Sequence, residues 1–142
     1  MRKLIKSKDG SATILFFGIT LALLFSAFLI IEMGSTYESY DYAMDVLQRS
    51  CNSAVEKNIR DEYRADGILK MNATKARSDF RAFVASDMPA RYTVTIDSIT
   101  CRETPPSMVV IGKVRFPTVL ALHGFETRTF TFKVRATNYD LH

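Results

Sequence analysis

The sequence has no tryptophan, two cysteines, two histidines and no proline before Pro89. Two cysteines exclude a disulfide-dense scaffold, which needs several bridges to replace a core. Two histidines exclude a typical histidine-rich metal centre. His142 is terminal, and His123 stands beside Gly124 in a presumptive solvated loop. GxSxG, HExxH, CxxC, GxGxxG and Walker patterns are all missing, so the nucleophile, metal and phosphate chemistries they support have no foothold. The chain reads as a non-enzyme with no metal, no cofactor and no small-molecule substrate.

Charge is missing from one place in particular. From Gly10 to Ile31, 22 residues pass without a charged side chain, and the other 120 residues carry all 34 charges. That excludes a simple soluble domain, and one such run in 142 residues excludes a multispan transporter. The net charge of +4 is a sum of unlike parts: residues 1–10 carry +3, residues 32–66 carry −4 and residues 67–142 carry +5. A pI near 9.2 therefore does not describe a uniformly basic protein, and a nucleic-acid partner is not the first reading.

What is present begins with Ser11–Ile31, SATILFFGITLALLFSAFLII. As a helix it rises roughly 32 Å at 1.5 Å per residue, close to the ~30 Å hydrocarbon thickness. A buried helix in a soluble protein rarely stays apolar on every face for so long, so the segment predicts a transmembrane helix. Arg2, Lys3, Lys6 and Lys8 precede it, and the next basic residue after it is Arg49. The positive-inside rule then puts residues 1–10 in the cytoplasm as a basic leader and residues 32–142 outside. A signal peptide is the competing reading, but its apolar core is normally 7–15 residues and ends in a small-x-small site. No cysteine lies near the segment to carry a lipid. Within the span Gly18, Ala22 and Ser26 recur every four residues, a small-residue stripe suited to close approach of another helix. The same stripe is equally well read as ordinary membrane-helix composition.

Beyond Ile31 the apolar positions Met33, Tyr37, Tyr40, Met44, Leu47, Cys51, Ala54 or Val55, Ile59 and Tyr63 follow three- and four-residue spacings. Glu38, Asp41, Asp45, Gln48, Arg49, Asn52, Glu56 and Arg60 take the opposite side. This predicts an amphipathic continuation of the same helix, ending near Asp66-Gly67, where glycine suits a C-cap. Gly34 costs about 1 kcal/mol relative to alanine inside a helix and permits a bend there. A second amphipathic helix is expected over 72–87, capped by Asn72 or Thr74, with Ala76, Phe80, Phe83 and Val84 on its apolar stripe and Met88-Pro89 as its stop.

The period then changes to two. Tyr92, Val94 and Ile96, then Val110, Gly112, Val114 and Phe116, then Phe130, Phe132, Val134 and Ala136 alternate with polar neighbours. These are three half-buried strands. The connections Glu103–Ser107 and Pro117–Gly124 suit an antiparallel meander, and the second places Val119, Leu120 and Leu122 in a loop. Three strands need a cover, which the amphipathic helix supplies. The fold class is α+β: a long N-terminal helix, a short second helix and a three-stranded antiparallel sheet packed on the outer half of the first.

Cys51 falls on the helical stripe and Cys101 at the end of the first strand. A disulfide between them closes a loop of about 50 residues, worth roughly 4 kcal/mol by the chain-entropy relation. The alternative is two reduced cysteines packed as small hydrophobes. Asn72-Ala73-Thr74 matches a glycosylation sequon, a triplet that chance often supplies. Lys113, Arg115, Lys133 and Arg135 fall on the polar side of their strands, either as a solvated face or as a basic surface.

The order of these parts, a basic leader ending in Gly10, an uncharged helix, an amphipathic extension and a small sheet, resembles the type IV pilin superfamily. More narrowly it resembles the TadE-like pseudopilins of tight-adherence (Flp) pilus systems. Lys8-Asp9-Gly10-Ser11-Ala12 carries the resemblance at the leader junction, and Ile30-Ile31-Glu32-Met33-Gly34 carries it at the membrane exit, where the family closes its apolar stretch with an acidic residue and a glycine. Leu47 and Ala54 are similar to its Leu-and-Ala register. The resemblance implies cleavage by a prepilin peptidase between Gly10 and Ser11, a pilin-like fold, and partnership with other pilin or pseudopilin subunits in the bilayer. It implies a structural role in initiating, anchoring or capping a pilus. The superfamily usually has Glu at the fifth mature position, where this chain has Leu15. Two other functions remain open: an uncleaved single-pass scaffold of a surface or secretion complex, and a module whose basic sheet face binds DNA or another polyanion.

Overall fold

Fifty proline-free residues form one α-helix, α1 (Lys8–Lys57), which stays helical through Gly34. The computed structural model describes residues 8–60, 69–122, 124 and 127–138. Two compact units divide the chain between Tyr37 and Glu38.

In the first unit every large apolar side chain from Ile14 to Ile31 except the half-buried Phe28 is exposed; Phe16 is 74% and Ile30 70% accessible. One helix here is long and apolar enough to cross a membrane. Its two mid-span hydroxyls are satisfied within the helix: Thr20 Oγ1 donates to the Phe16 carbonyl at 2.9 Å and Ser26 Oγ to the Ala22 carbonyl at 2.8 Å. Such back-bonding leaves neither hydroxyl hydrogen seeking water, which suits a hydrocarbon surrounding.

In the second unit the remainder of α1 turns amphipathic. Ala43, Val46, Leu47, Ser50, Cys51, Ala54 and Val55 are buried, while Asp41, Asp45, Arg49, Asn52 and Glu56 are exposed. The buried stripe is wider than the periodic reading, because Ala43, Val46 and Ser50 join it. Met33 and Tyr37, expected on that stripe, are instead exposed.

The helix also ends earlier than the pattern predicts, at Lys57 and not near Asp66-Gly67. Asn58 is the reason. Its backbone N–H bonds to the Val55 carbonyl at 3.2 Å, tightening the last turn. Its Nδ2 donates to the Ala54 carbonyl at 2.9 Å, and its own carbonyl accepts from Asn72 N–H at 3.0 Å. The chain then leaves as β1 (Ile59–Arg60), antiparallel to β2 (Lys70–Met71). Ile59 and Arg60 are therefore strand residues, and Tyr63, Asp66 and Gly67 lie outside the described residues.

Helix α2 (Ala73–Asp87) matches its expected span. Asn72 is the N-cap, its side chain accepting from Lys75 N–H at 3.1 Å, and Met88 is the C-cap. Ala76, Phe80 and Val84 are buried, with Phe83 half-buried beside them.

Three strands follow, β3 (Thr93–Arg102), β4 (Ser107–Arg115) and β5 (Thr129–Thr137), as an antiparallel meander in the order β3-β4-β5. A bulge between Ile96 and Ser98 leaves Asp97 unopposed. It shifts the inner set of β3 from Val94 and Ile96 to Ile99 and Cys101, a phase change that simple alternation does not predict. Gly112 sits between Ile96 and Phe132 in register. A Cβ there would collide with the Thr95 carbonyl oxygen and lie 2.8 Å from the Phe132 ring. The close approach of backbone and ring requires glycine at this position. Between β4 and β5 the expected loop is partly helical: Thr118 Oγ1 accepts from Ala121 N–H at 3.3 Å and starts the short helix α3 (Val119–Leu122).

One apolar cluster joins these elements. Leu47, Cys51 and Ala54 of α1, Phe80 of α2, Met108, Val110 and Val114 of β4, and Phe132 and Val134 of β5 all belong to it. A chain of rings closes one end. Tyr42 lies 5.9 Å from Tyr92, Tyr92 5.6 Å from Phe116, Phe116 stacks on Phe130 at 5.2 Å, and Phe130 lies 5.5 Å from Tyr40. Offset and tilted pairs at these separations contribute beyond their buried area. The result is the α+β arrangement of a long helix, a short helix and a three-stranded antiparallel sheet.

Candidate functional site

The sequence-predicted residues fall into three groups that the fold keeps separate. Gly10 and Ser11 lie inside the first turns of α1, so a peptidase acting between them meets helical backbone. Gly18, Ala22 and Ser26 share one face of the same helix, and a Cβ on Gly18 would meet nothing within 4 Å. Glu32 and Gly34 are also helical, Gly34 exposed and Glu32 half-buried.

The second group is the outer face of the sheet. Lys113 stands opposite Thr95 and Thr131, Arg115 opposite Thr93 and Thr129, Lys133 opposite Ile111, and Arg135 opposite Val109. All four are exposed on one surface. Arg135 Nε donates to Thr137 Oγ1 at 3.1 Å. Among the described residues no carboxylate lies within salt-bridge distance of any of the four. Strand alternation alone puts them together, and an exposed basic face attracts anions through a salt-sensitive field.

The third group is the cysteine pair. Both thiols are free in this structure, so the expected bond is not formed here. Tertiary packing nonetheless brings them to the same residue: Cys51 Sγ lies 3.9 Å from the Met108 carbonyl oxygen, and Cys101 is the cross-strand partner of Met108. Burial pushes the Cys51 thiol up to about 11; a backbone hydrogen bond with Ala136 opposes this and the neighbouring Cys101 adds to it.

One polar junction was not foreseen from sequence. Asp79 Oδ2 on α2 accepts from Asn58 Nδ2 at 2.9 Å and lies 3.4 Å from Lys57 Nζ. The Asn58 hydrogen bond holds the Asp79 carboxyl below its ordinary range, with Lys57 assisting. Lys57 in turn sits 5.1 Å over the Phe83 ring. The arrangement ties the end of α1 to α2. A helical-period reading assigned Asn58 no role, because its partners come from residues 54, 72 and 79.

A groove of about 350 Å³ runs between α2 and β3, lined by Val84, Met88, Pro89, Tyr92 and Ile96, with Arg81 as its charged member. Among the described residues no cluster of three or more histidine, cysteine, aspartate or glutamate side chains is placed to hold a metal ion. Asn72, the sequon residue, is half-buried and engaged as the α2 cap. His123 lies outside the described residues. Comparison with known proteins finds no matching family model, no matching curated protein and no matching solved structure.

Proposed function

We propose that this chain is a minor pilin or pseudopilin, a structural subunit that helps initiate, anchor or cap a tight-adherence-type pilus. One observation carries the reading. An uncharged helix whose large side chains have no cover of their own continues, as the same element, into the central helix of an α+β unit closed by a three-stranded antiparallel sheet. In this reading Ser11–Ile31 spans the cell membrane, residues 1–10 are cytoplasmic and residues 32–142 are extracytoplasmic. A prepilin peptidase removes the leader between Gly10 and Ser11, and with it Arg2, Lys3, Lys6 and Lys8. The end that remains carries a single α-amino group in place of four basic side chains, so fewer cations have to pass through hydrocarbon when the helix leaves the bilayer. Gly18, Ala22 and Ser26 then give a neighbouring subunit's helix room to approach.

A second reading, an uncleaved single-pass scaffold subunit, is favoured by two observations: Leu15 stands where the superfamily carries glutamate, and the Gly10–Ser11 bond is helical and must unwind before a peptidase can cut it. The polyanion-binding reading rests only on the exposed basic face. Intact mass of the protein purified from its native membranes separates the first two. A chain beginning at Ser11 is expected; a chain that retains Lys8 and Asp9 overturns the pilin reading and leaves the scaffold. Charge reversal at Lys113, Arg115, Lys133 and Arg135 tests the third, which needs polyanion binding to be lost.

A further inference from the structure

The cysteine pair is chemically asymmetric, and the asymmetry fixes an order of reaction. Cys51 is 0% exposed within the core, on α1, whereas Cys101 is partly exposed on the inner face of β3. Directly opposed residues of an antiparallel pair project to the same face with Cα atoms about 4.5–5.5 Å apart. Cys101 therefore points to the same side as Met108, whose carbonyl the Cys51 sulfur approaches to 3.9 Å. Both sulfurs belong to the same apolar cluster.

We propose that Cys51 and Cys101 are an intramolecular oxidation site in which Cys101 is the entry thiol and Cys51 the resolving thiol, joining α1 to β3. An external disulfide, of the glutathione or dithiol-catalyst class, reaches only Cys101. The Cys101 thiolate attacks one sulfur of that reagent, the reagent's S–S bond breaks, and one thiolate leaves. Cys101 now carries a mixed disulfide. Cys51 then gives up its proton to the solvent-borne leaving thiolate and attacks the Cys101 sulfur, expelling the second reagent thiol. The protein has lost two hydrogens and the reagent has gained two electrons and two protons. The high proton affinity of the buried Cys51 thiol keeps it inert towards outside reagents. Its attack becomes favourable only because Cys101 is held beside it, an effective-concentration advantage over any free thiol.

The site does not depend on the pilin reading, and its test does not touch the leader. Full-length reduced protein in detergent is treated with oxidised glutathione near pH 8, quenched with an alkylating reagent and weighed intact. The wild type is expected to lose the mass of two hydrogens with no glutathione retained. Cys51→Ala is expected to retain one glutathione on Cys101, and Cys101→Ala to acquire glutathione at least 10-fold more slowly than Cys51→Ala. Equal rates in the two variants, or a wild-type adduct that never resolves, overturn the proposal. Brief alkylation of the unmodified reduced wild type, mapped by peptide, gives a second reading free of any folding defect in the variants. Cys101 is expected to be labelled first, and labelling of Cys51 first or equally overturns the order.

Discussion

The two stretches of α1 share one backbone geometry and differ in what surrounds their side chains. Before Tyr37 the helix carries phenylalanine, leucine and isoleucine on every face, and all but the half-buried Phe28 lie exposed. After Glu38 it carries a single apolar stripe, and Ala43, Leu47, Cys51, Ala54 and Val55 are closed off by α2 and the sheet. Hydrophobicity alone does not distinguish a core from a membrane surface. Distribution around the helix does: one stripe calls for a protein partner, and a full circumference calls for a solvent that is itself apolar.

Truncating a phenylalanine in each region separates them most strongly. Phe80→Ala removes a fully buried ring and is expected to destabilise the second unit by about 3–5 kcal/mol. Phe16→Ala, with its ring exposed, is expected to leave the same unfolding transition within about 0.5 kcal/mol. Denaturant unfolding in detergent, followed through the tyrosine-rich second unit, reads both; similar losses would mean that the first half also packs within the protein.

A charge at mid-span is the next largest effect. Leu21→Arg is expected to disfavour membrane insertion by roughly 2.5–3.5 kcal/mol on the insertion scale, whereas the same change at exposed Thr131 leaves membrane partitioning unchanged. A glycosylation-mapping or alkaline-extraction assay distinguishes the two.

At the far end of α1, Asn58→Ala strips Asp79 of its principal hydrogen-bond donor and is expected to cost roughly 1–3 kcal/mol. With the Asp79 carboxyl held low in the fold, its contribution is present above the ordinary carboxylate pKa and is lost as pH falls through the folded value. The variant should therefore lose less stability than the wild type on acidification.

Cys51 works in the opposite direction. Its folded pKa of about 11 exceeds the ordinary thiol value of 9.0, so the reduced fold binds the proton more tightly than the unfolded chain does. Stability from this thiol is complete below about pH 9 and falls away as pH rises towards 11, by roughly 2 kcal/mol. Melting curves of reduced wild type and Cys51→Ala across that interval isolate it, and parallel curves would refute it. The smallest expected change is a gain. Ser50 Oγ is buried with no hydrogen-bond partner among the described residues, so Ser50→Ala is expected to stabilise by up to about 1 kcal/mol. A lowered melting temperature would mean that a buried partner is satisfied there.

Several of these features were legible before any coordinates. Asn72 and Met88-Pro89 bound α2 as local chemistry dictates, because a cap needs only residues three or four positions away. The alternation in β4 and β5 identified the inner set of Val110, Val114, Phe132 and Val134 and, with the same stroke, the outer basic set. Where the reading failed, the missing partner was distant. The helix stopped at Lys57 because Asn58 found bonds to residues 72 and 79, which a periodicity does not contain. Pro117 to Gly124 looked like a loop because four helical residues capped by Thr118 are too short to show a period.

The sequence by itself determined the uncharged span, the change from helical to alternating period and the polarity of each face, since these depend on side-chain type and spacing along one chain. Tertiary structure alone decided that β3 shifts phase at Asp97, that Gly112 must lack a Cβ under the Phe132 ring, and that Cys51 and Cys101 converge on Met108. Each of these depends on which atoms approach from another element, and close packing settles that only when the whole core is assembled.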